Sequence, residues 1–231
     1  PFLRALGVNA TFVGHPLLDQ AAPPTRRDAR DVLGLPSGVP VLGLFPGSRR
    51  HEVRRLWPVM REAASLVQRA VPDLEVVVAT TDGRAYDGAG RVHRTGQGSR
   101  LVMAAADAAI CKSGTTTLEA VLADLPMVIT YRLHPWTHAL ARCVLRVNRI
   151  GLANLVAGGD VAPELVQDDA TPERLAAAVL PLLDRDGRAA REQRAGFERI
   201  RARLGSPGAS TRVAALARAL RQTAEEIMTA A

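Results

Sequence analysis

Aromatic residues and cysteine are scarce in this 231-residue sequence, and its uncharged apolar runs are short. Aromatics make up 3% of the residues, so the core must be built from Ala, Val and Leu. The two cysteines, Cys111 and Cys143, form neither a disulfide framework nor a zinc-site spacing, and we expect reduced thiols. No apolar run approaches the roughly 18 residues of a membrane span, and no signal-peptide pattern is present. These absences exclude disulfide-stapled and membrane-spanning proteins and favour a folded, soluble one.

Lysine is almost absent, although the chain is basic. The sequence contains 30 Lys and Arg against 23 Asp and Glu, a formal charge of +7, and Lys112 is its only lysine. A GC-rich genome explains most of the arginines, because arginine codons are GC-rich. The C-terminal arginines are interleaved with acids and lack an aromatic set for base stacking, so we expect no nucleic-acid partner. Codon bias does not explain why Arg49 follows the glycine turn at Gly47, or why the lone lysine, Lys112, precedes the glycine turn at Gly114.

Strands and helices alternate along the chain, which favours an α/β fold with a parallel sheet and helices on both faces. We expect residues 1–24 to end an N-terminal half and form a linker, 25–185 to form a Rossmann-like domain, and 186–231 to form C-terminal helices. Strands are predicted at residues 10–13, 41–45, 74–79, 92–95, 108–111 and 127–131, with a strand and loop at 150–159. Helices are predicted at residues 25–33, 51–70, 99–106, 115–124, 135–147, 171–183, 188–204 and 210–228.

A glycine turn at residues 46–50 follows a buried strand and precedes a helix. Such a turn exposes backbone N–H groups at the positive end of the helix dipole, which forms an anion site suited to a diphosphate. Gly47 allows close approach of the backbone, Ser48 adds a hydroxyl donor, and Arg49 can bind phosphate through two parallel hydrogen bonds. An ordinary strand–helix turn with a capping serine explains the motif equally well.

A second glycine turn, at residues 112–115, repeats this arrangement. It opens a helix with three threonines, which are poor helix formers beyond the cap. Ser113, Gly114 and Thr115 are therefore candidate phosphate ligands, and Glu119, one turn into the helix, could accept hydrogen bonds from sugar hydroxyls. The alternative is a plain helix cap with a dipole-compensating acid. Two such turns at the carboxyl edge of one open sheet favour a ligand crevice there.

Two further polar clusters follow predicted strands. The first contains Arg132 and faces the same edge of the sheet, with a surface loop as the alternative. The second runs from Asn154 to Gln167, and its polar residues are candidate ligands of a base or a sugar, with ordinary loop chemistry as the alternative. Two histidines spaced four apart lack the glutamate of a metalloprotease helix, so we expect no metal. The turn at Gly47 is neither a Walker loop nor a Gly-x-Gly-x-x-Gly motif, and no Ser-His-Asp order is persuasive.

Five blocks of sequence then stand in a recognisable order. They are 13–17 (VGHPL), 46–53 (PGSRRHEV), 113–120 (SGTTTLEA), 126–137 (PMVITYRLHPWT) and 154–167 (NLVAGGDVAPELVQ). The set resembles the lipid-A-disaccharide synthase family, from about Leu3 to Leu183 and more weakly to the C-terminus. Two positions depart from it: Gly151 stands where the family tends to serine, and Ala153 where it tends to proline.

The resemblance implies one half of a GT-B glycosyltransferase, in which two Rossmann-like halves enclose a cleft. This chain would be the linker and the donor-binding half of an enzyme that joins UDP-2,3-diacylglucosamine to 2,3-diacylglucosamine 1-phosphate and releases UDP. No cofactor or metal is implied. The residues implied to bind the donor diphosphate are Gly47, Ser48, Arg49, Ser113, Gly114 and Thr115. Those implied to bind the ribose, or the uridine and the rest of the donor, are Glu119, Arg132, Asn154 and Gln167.

The acceptor site and the general base are implied to lie in an N-terminal half that we expect to be missing, since the sequence begins at Pro1. No catalytic base is therefore assigned in this chain. The lipid substrates imply a cytoplasmic protein that works at the cytoplasmic face of the inner membrane. Arginines at residues 189–204 are candidate contacts to an anionic membrane surface, with a solvated helix face as the alternative.

Other interpretations stay open from the sequence. One is a different UDP-sugar transferase of the GT-B type, or a UDP-sugar epimerase. Another is a non-catalytic module that binds a nucleotide-sugar. The last is a basic module that binds anionic membrane or nucleic acid through the arginine-rich C-terminal region, whose binding would fall steeply with salt.

Overall fold

The computed structural model describes residues 2–80, 86, 92–96, 98–132 and 149–229. The chain divides into two compact units, of which residues 23–201 form the larger and residues 1–22 with 202–231 the smaller. The expected domain boundaries at 24 and 185 stay a prediction, and the helix expected at 135–147 lies outside the described residues. Within the described ranges, none of the helices combines the length and the apolar character that a membrane crossing requires.

Among the described residues, six parallel strands form one sheet in the order β3-β2-β1-β4-β5-β6. In its register, Gly43 lies between Val77 and Ala109. This is the strand order of a doubly wound, Rossmann-like sheet, so the predicted α/β fold class is confirmed. The strands are β1 (Val41–Phe45), β2 (Glu75–Ala79), β3 (Val92–Thr95), β4 (Ala108–Lys112), β5 (Met127–Tyr131) and β6 (Glu164–Val166).

Helices connect the strands, and two of them begin as the sequence predicts. The Thr25 and Thr171 hydroxyls each accept a backbone N–H at a helix start, as N-cap residues do. The helices are α1 (Phe2–Ala5), α2 (Arg26–Leu33), α3 (Arg50–Ala70), α4 (Ser99–Ala105), α5 (Thr115–Leu122), α6 (Leu152–Ala157), α7 (Pro172–Val179), α8 (Arg188–Leu204) and α9 (Ala209–Thr229). Single 3₁₀ turns lie at Pro16–Asp19, Gln167–Asp169 and Leu180–Leu182.

The main core lies between the sheet and the apolar faces of α3 and α7. Sheet residues such as Leu42 and Ile110 pack there against Trp57 and Met60 of α3 and Leu175 of α7. Crossovers between parallel strands are right-handed. Since α3 leads from β1 to β2 and α5 leads from β4 to β5 in the opposite direction, these two helices lie on opposite faces of the sheet.

Two predictions about individual elements were wrong. Residues 10–13 form neither a strand nor a helix in the structure, and the apolar side chain of Phe12 stays 68% exposed. Residues 150–159 contain the helix α6 where a strand and loop were expected. Its start is held by the Glu164 carboxylate, which accepts the N–H groups of Ile150 and Gly151 at 2.9 and 3.1 Å.

A buried ion cluster lies at the amino edge of the sheet. Asp107, just before β4, is 2% exposed and accepts hydrogen bonds from Arg30 at 2.8 Å and from the N–H of Val41 at 2.8 Å. Arg26 also binds this carboxylate, and Arg185 lies 3.8 Å from it. The guanidinium of Arg30 further donates to two backbone carbonyls. The cluster therefore fixes α2 against the edge of the sheet with each buried charge compensated.

The smaller unit is held by side chains that bind backbone groups. The Asp19 carboxylate accepts the N–H groups of Gly208, Ala209 and Ser210 at 2.5, 3.1 and 2.8 Å, and so caps the start of α9. Arg212 of α9 donates to three carbonyls, including that of Val13 at 2.9 Å. These bonds join the N-terminal segment to the C-terminal helix within this unit.

Candidate functional site

A cleft of about 790 Å³ opens at the carboxyl edge of the sheet in the larger unit. It adjoins the ends of β1 and β4, between which the strand order reverses direction, and this is where open α/β sheets bind ligands. Both predicted glycine turns contribute to it, together with residues that follow β2 and β3. The lining residues are Phe45, Gly47, Ser48, Arg49, Ala79, Thr80, Gly96, Gly98, Ser99, Lys112, Thr115, Thr116 and Glu119.

The first glycine turn requires glycine for two reasons. Gly47 has a φ of +113°, a backbone angle that residues other than glycine rarely adopt. A Cβ atom at this position would also lie 2.5 Å from a carboxylate oxygen of Glu52. The turn is thus pressed against a buried acid in the first turn of α3.

Glu52 is the centre of a small ion cluster beneath the cleft. One carboxylate oxygen, Oε1, lies 2.9 Å from the Lys112 ammonium and 3.4 Å from the Arg49 guanidinium. The other, Oε2, accepts the backbone N–H of Arg49 at 3.4 Å. Burial raises the pKa of the Glu52 carboxyl, but Lys112 and Arg49 more than offset this, and the pKa lies below its ordinary value. The acid is therefore ionised at neutral pH.

The second glycine turn divides its residues between the cleft and the fold. Thr115 and Thr116 line the cleft, whereas Ser113 and Gly114 are outside its described lining. The Ser113 hydroxyl donates to the carbonyl of Ile150 at 2.6 Å and its N–H to the carbonyl of Thr130 at 2.9 Å. Both donors of Ser113 are thereby used to hold neighbouring segments together.

Glu119, which belongs to α5, lines the cleft. Burial raises the pKa of its carboxyl, and the nearby charge of Arg100 partly offsets that shift. Behind it, the thiol of Cys111 is fully buried, and burial together with the charge of Glu119 raises the pKa of that thiol. The cysteine is accordingly an unreactive core residue rather than a nucleophile.

The three remaining candidates lie outside the described lining of the cleft. Asn154 is 1% exposed, and its amide makes four hydrogen bonds: two N–H groups donate to Ala162 and Glu164, and the oxygen accepts from Val161 and Ala162. Arg132 donates to the carbonyl of Ala170 at 2.8 Å. Gln167 begins a 3₁₀ turn with a positive φ of 53°, a strained conformation for a residue with a side chain. The structure thus brings five of the ten candidates together.

The departure at Gly151 has a packing explanation. A Cβ atom there would lie 2.6 Å from the Cδ1 of Ile129 and 2.9 Å from a carboxylate oxygen of Glu164. A residue with a side chain at position 151 would require the end of the Ile129 side chain and the Glu164 carboxylate to move.

Sequence reasoning missed the part of the cleft formed by Ala79, Thr80, Gly96, Gly98 and Ser99. The only available signal was topological, because these residues follow β2 and β3 and so must reach the same edge as the glycine turns. Lys112 was noticed for its rarity, but its partner Glu52 is sixty positions earlier in the chain. Among the described residues, no group of three or more His, Cys, Asp or Glu side chains is arranged to hold a metal ion.

Comparisons with known proteins agree with these observations. A family model described as Lipid-A-disaccharide synthetase matches residues 1–219. The Lipid-A-disaccharide synthase of Anaeromyxobacter dehalogenans (strain 2CP-C) is 43% identical over 223 residues, which are 92% of this chain and 58% of that protein. The one from Geobacter sulfurreducens is 41% identical over 94% of this chain and 58% of its own length. The chain thus spans little more than half of the curated relatives it matches.

Solved structures give the same fold. Sucrose-phosphate synthase from Thermosynechococcus elongatus superposes on 91% of this chain and 52% of its own, with a TM-score of 0.50 and 17% identity. At that identity the likeness concerns the fold alone. The prediction that the sheet is one half of a GT-B fold is confirmed.

Proposed function

We propose a function from one premise: the chain belongs to the lipid-A-disaccharide synthase family. We infer that it is the donor-binding half of an enzyme that transfers 2,3-diacylglucosamine from UDP to 2,3-diacylglucosamine 1-phosphate. The product is the β-1,6-linked disaccharide precursor of lipid A. The observation that carries this proposal is the convergence of two glycine turns on one cleft at the switch point of the sheet.

The cleft offers suitable groups for each part of the donor. Gly47, Ser48 and Arg49 bind the diphosphate on one side, and Thr115 with its neighbour Thr116 binds it on the other. Glu119 accepts hydrogen bonds from the ribose hydroxyls. In this proposal Ser113, Gly114 and Asn154 keep the surrounding segments in place. Arg132 and Gln167, which lie outside the described lining of the cleft, are the candidates for contacts to the uridine or the donor sugar.

The reaction requires little covalent chemistry from this half. The acceptor hydroxyl forms a bond to the anomeric carbon while the bond from that carbon to the diphosphate oxygen breaks, and the electron pair leaves with UDP. The hydroxyl proton passes to a general base that we assign to the acceptor-binding half. Arg49 and the backbone dipoles neutralise the negative charge that develops on the departing diphosphate.

We propose that the reaction takes place at the cytoplasmic face of a membrane, because both substrates are lipids. Two of the α8 arginines proposed as membrane contacts have another use, because Arg194 and Arg201 lie 3.7 and 2.8 Å from the Asp124 carboxylate. Arg191, Arg199 and Arg203 are exposed on the same helix. A membrane contact through α8 therefore depends on these three, with attraction to anionic headgroups as its physical basis.

Thermal unfolding with nucleotides tests the donor site. UDP at about 100 times its dissociation constant should add roughly 2.7 kcal/mol to the free energy of unfolding, whereas AMP and GDP should add little. The effect of UDP should be lost in Arg49→Ala and in Glu119→Ala. Arg27→Ala is the matched control, since Arg27 is 91% exposed on α2 and far from the cleft in sequence.

The outcomes separate the proposal from its alternatives. A UDP-specific rise that both cleft substitutions abolish supports a UDP-sugar donor site. A well-folded chain with equal responses to all three nucleotides, or with none, contradicts it. In that case binding to anionic vesicles that falls steeply with salt favours the basic-module interpretation.

A further inference from the structure

Lys112 is an unusual residue in this chain by composition and by position. It is the only lysine among 30 basic residues, and it ends the central strand β4 at the floor of the cleft. Its side chain is 15% exposed, its ammonium lies 2.9 Å from Glu52 Oε1, and the same ammonium lies 5.7 Å from the centre of the Tyr131 ring. The charge is thus held in a defined place by an acid and an aromatic face.

The first glycine turn cannot hold an anion by its helix dipole alone. Glu52 sits in the first turn of α3, accepts the N–H of Arg49, and lies against Gly47. A carboxylate in this position already compensates the positive end of the helix. It would also repel an incoming phosphate, so cations must outweigh it if the turn is to bind a diphosphate.

The two cations that touch Glu52 differ in how firmly they are held. The Arg49 side chain is 70% exposed and its nitrogen is 3.4 Å from the carboxylate, a loose contact. The Lys112 contact is shorter and its side chain is largely buried. Because both cations approach the same carboxylate oxygen, they lie within reach of the two phosphates of one diphosphate.

We propose that Lys112 is a diphosphate-binding residue of the donor site and that Glu52 is the positioning residue that holds it there. The inference rests on the proposed function, since it takes the ligand to be a nucleoside diphosphate. An ammonium group has three N–H donors and Glu52 takes one, so Lys112 can contact phosphate without leaving its acid. Arg49, which is more exposed, turns from Glu52 to the second phosphate when the nucleotide binds.

Calorimetric titration of the 231-residue chain with UDP and with uridine tests this role. Lys112→Met should weaken UDP binding by about tenfold to a hundredfold, the range expected for losing a charged hydrogen bond. Uridine has no phosphate, so its affinity should change by less than about twofold. Arg27→Met removes an exposed arginine of α2 and should leave both affinities unchanged.

Lys112→Met leaves the Glu52 carboxylate with one cation fewer and could disturb the turn. The double variant Glu52→Gln/Lys112→Met removes both charges and so relieves that imbalance. The matched reference is Glu52→Gln alone, which also lacks the repelling acid. If Lys112 binds the diphosphate, the ratio of UDP affinity to uridine affinity is far lower in the double variant than in Glu52→Gln. If Lys112 serves only to neutralise Glu52, the two variants have the same ratio, and the inference is overturned.

Different results would overturn the role of Lys112 and the proposed donor site. Undiminished UDP binding by a folded Lys112→Met chain overturns the role of Lys112 and leaves the donor site intact. A wild-type chain that binds neither UDP nor uridine overturns the donor site and the role of Lys112 with it.

Discussion

Two buried carboxylates, Asp107 and Glu52, stand at opposite edges of the same sheet. Each is less than a tenth exposed and each is approached by more than one cation. At the amino edge, Arg30 binds Asp107 from inside the core with a side chain that is 6% exposed, while Arg26 and Arg185 approach it from the surface with side chains that are 42% and 36% exposed. At the carboxyl edge, Arg49 beside Glu52 is 70% exposed and lines a cleft.

The difference shows how one kind of ion cluster can serve a fold or a site. At Asp107 the buried cation is used entirely by the protein, since Arg30 also donates to two backbone carbonyls and the acid also accepts a backbone N–H. At Glu52 the cations border open space, so that part of their hydrogen-bonding capacity faces the cleft. A charge cluster therefore suggests a binding site when its accessible cation lines a cleft, as Arg49 does, and solvent exposure alone, as at Arg26, is not enough.

The largest expected effect is on stability, from Asp107→Ala. Removing this acid leaves Arg30 buried without its counter-charge and the N–H of Val41 without its acceptor. We expect a loss of about 3–5 kcal/mol in the free energy of unfolding, measured by urea denaturation. Asp31→Ala is the control: its side chain is 71% exposed and pairs with Arg27 at 4.0 Å, so a loss within about 0.5 kcal/mol is expected. Equal losses in the free energy of unfolding for Asp107→Ala and Asp31→Ala would contradict the structural role of the Asp107 cluster.

The second-largest loss of stability is expected for Asn154→Ala. This variant tests whether Asn154 contacts the ligand or stabilises the fold. The substitution leaves the N–H groups of Val161 and Ala162 and the carbonyl of Ala162 without the amide as partner, while Glu164 keeps its bonds to the backbone at 150–151. We expect a loss of about 2–3 kcal/mol in denaturant unfolding, with the UDP response retained in the folded chain. Asn9→Ala, at an exposed position, should change little. A stable Asn154→Ala chain that fails to respond to UDP would instead place Asn154 in the donor site.

Gly47→Ala should reduce stability less than these two variants, and it should also weaken UDP binding. The added Cβ meets Glu52 at 2.5 Å and the φ of +113° is strained for alanine, so the turn must move. We expect a loss of about 1–2 kcal/mol in the free energy of unfolding and a weakened UDP response. Gly159→Ala adds a methyl group to open space and should do neither. Unchanged UDP binding in Gly47→Ala would mean that the turn does not contact the nucleotide.

The smallest effect concerns a third carboxylate, Asp19, which is not buried. Hydrogen bonds from the backbone and hydroxyl of Ser210, and from the N–H groups of Gly208 and Ala209, lower the pKa of Asp19 from 3.8 to about 2. A carboxyl whose pKa is lower in the folded state stabilises the protein above its unfolded pKa of 3.8, and this stabilisation is lost as the pH falls through about 2. Thermal unfolding of the wild type should therefore lose stability in this range relative to Asp19→Asn. Superimposable pH profiles for the two chains would contradict the role of Asp19 as a helix cap.

Local sequence patterns predicted those elements that depend on local causes. Apolar runs predicted β1, β4 and β5 almost to the residue, and threonine caps predicted the starts of α2 and α7. The edge strand β6 was not predicted, because it has three half-buried residues and no apolar run. The helix α6 was not predicted either, since its start depends on a carboxylate that is more than ten residues away in the chain.

In the candidate site, too, features with a local cause were predictable and those that depend on distant residues were not. The glycine turns were recognisable because each follows a strand and opens a helix, and that placement alone brought Gly47 and Thr115 to one cleft. The assignment of Ser113 and Asn154 as ligand contacts could not be checked in the sequence, because their partners are distant residues such as Ile150 and Ala162. Polar residue types indicate that a hydrogen bond is made, but the fold decides whether its partner is a ligand or the chain.

The close packing at Gly151 also has an evolutionary consequence. The methyl group of Ile129 fills the volume that a side chain at position 151 would need, and Glu164 closes the other side. A serine at position 151 would therefore require the end of the Ile129 side chain and the Glu164 carboxylate to move. A smaller residue at position 129 should lower that cost, so the two positions are expected to be epistatic.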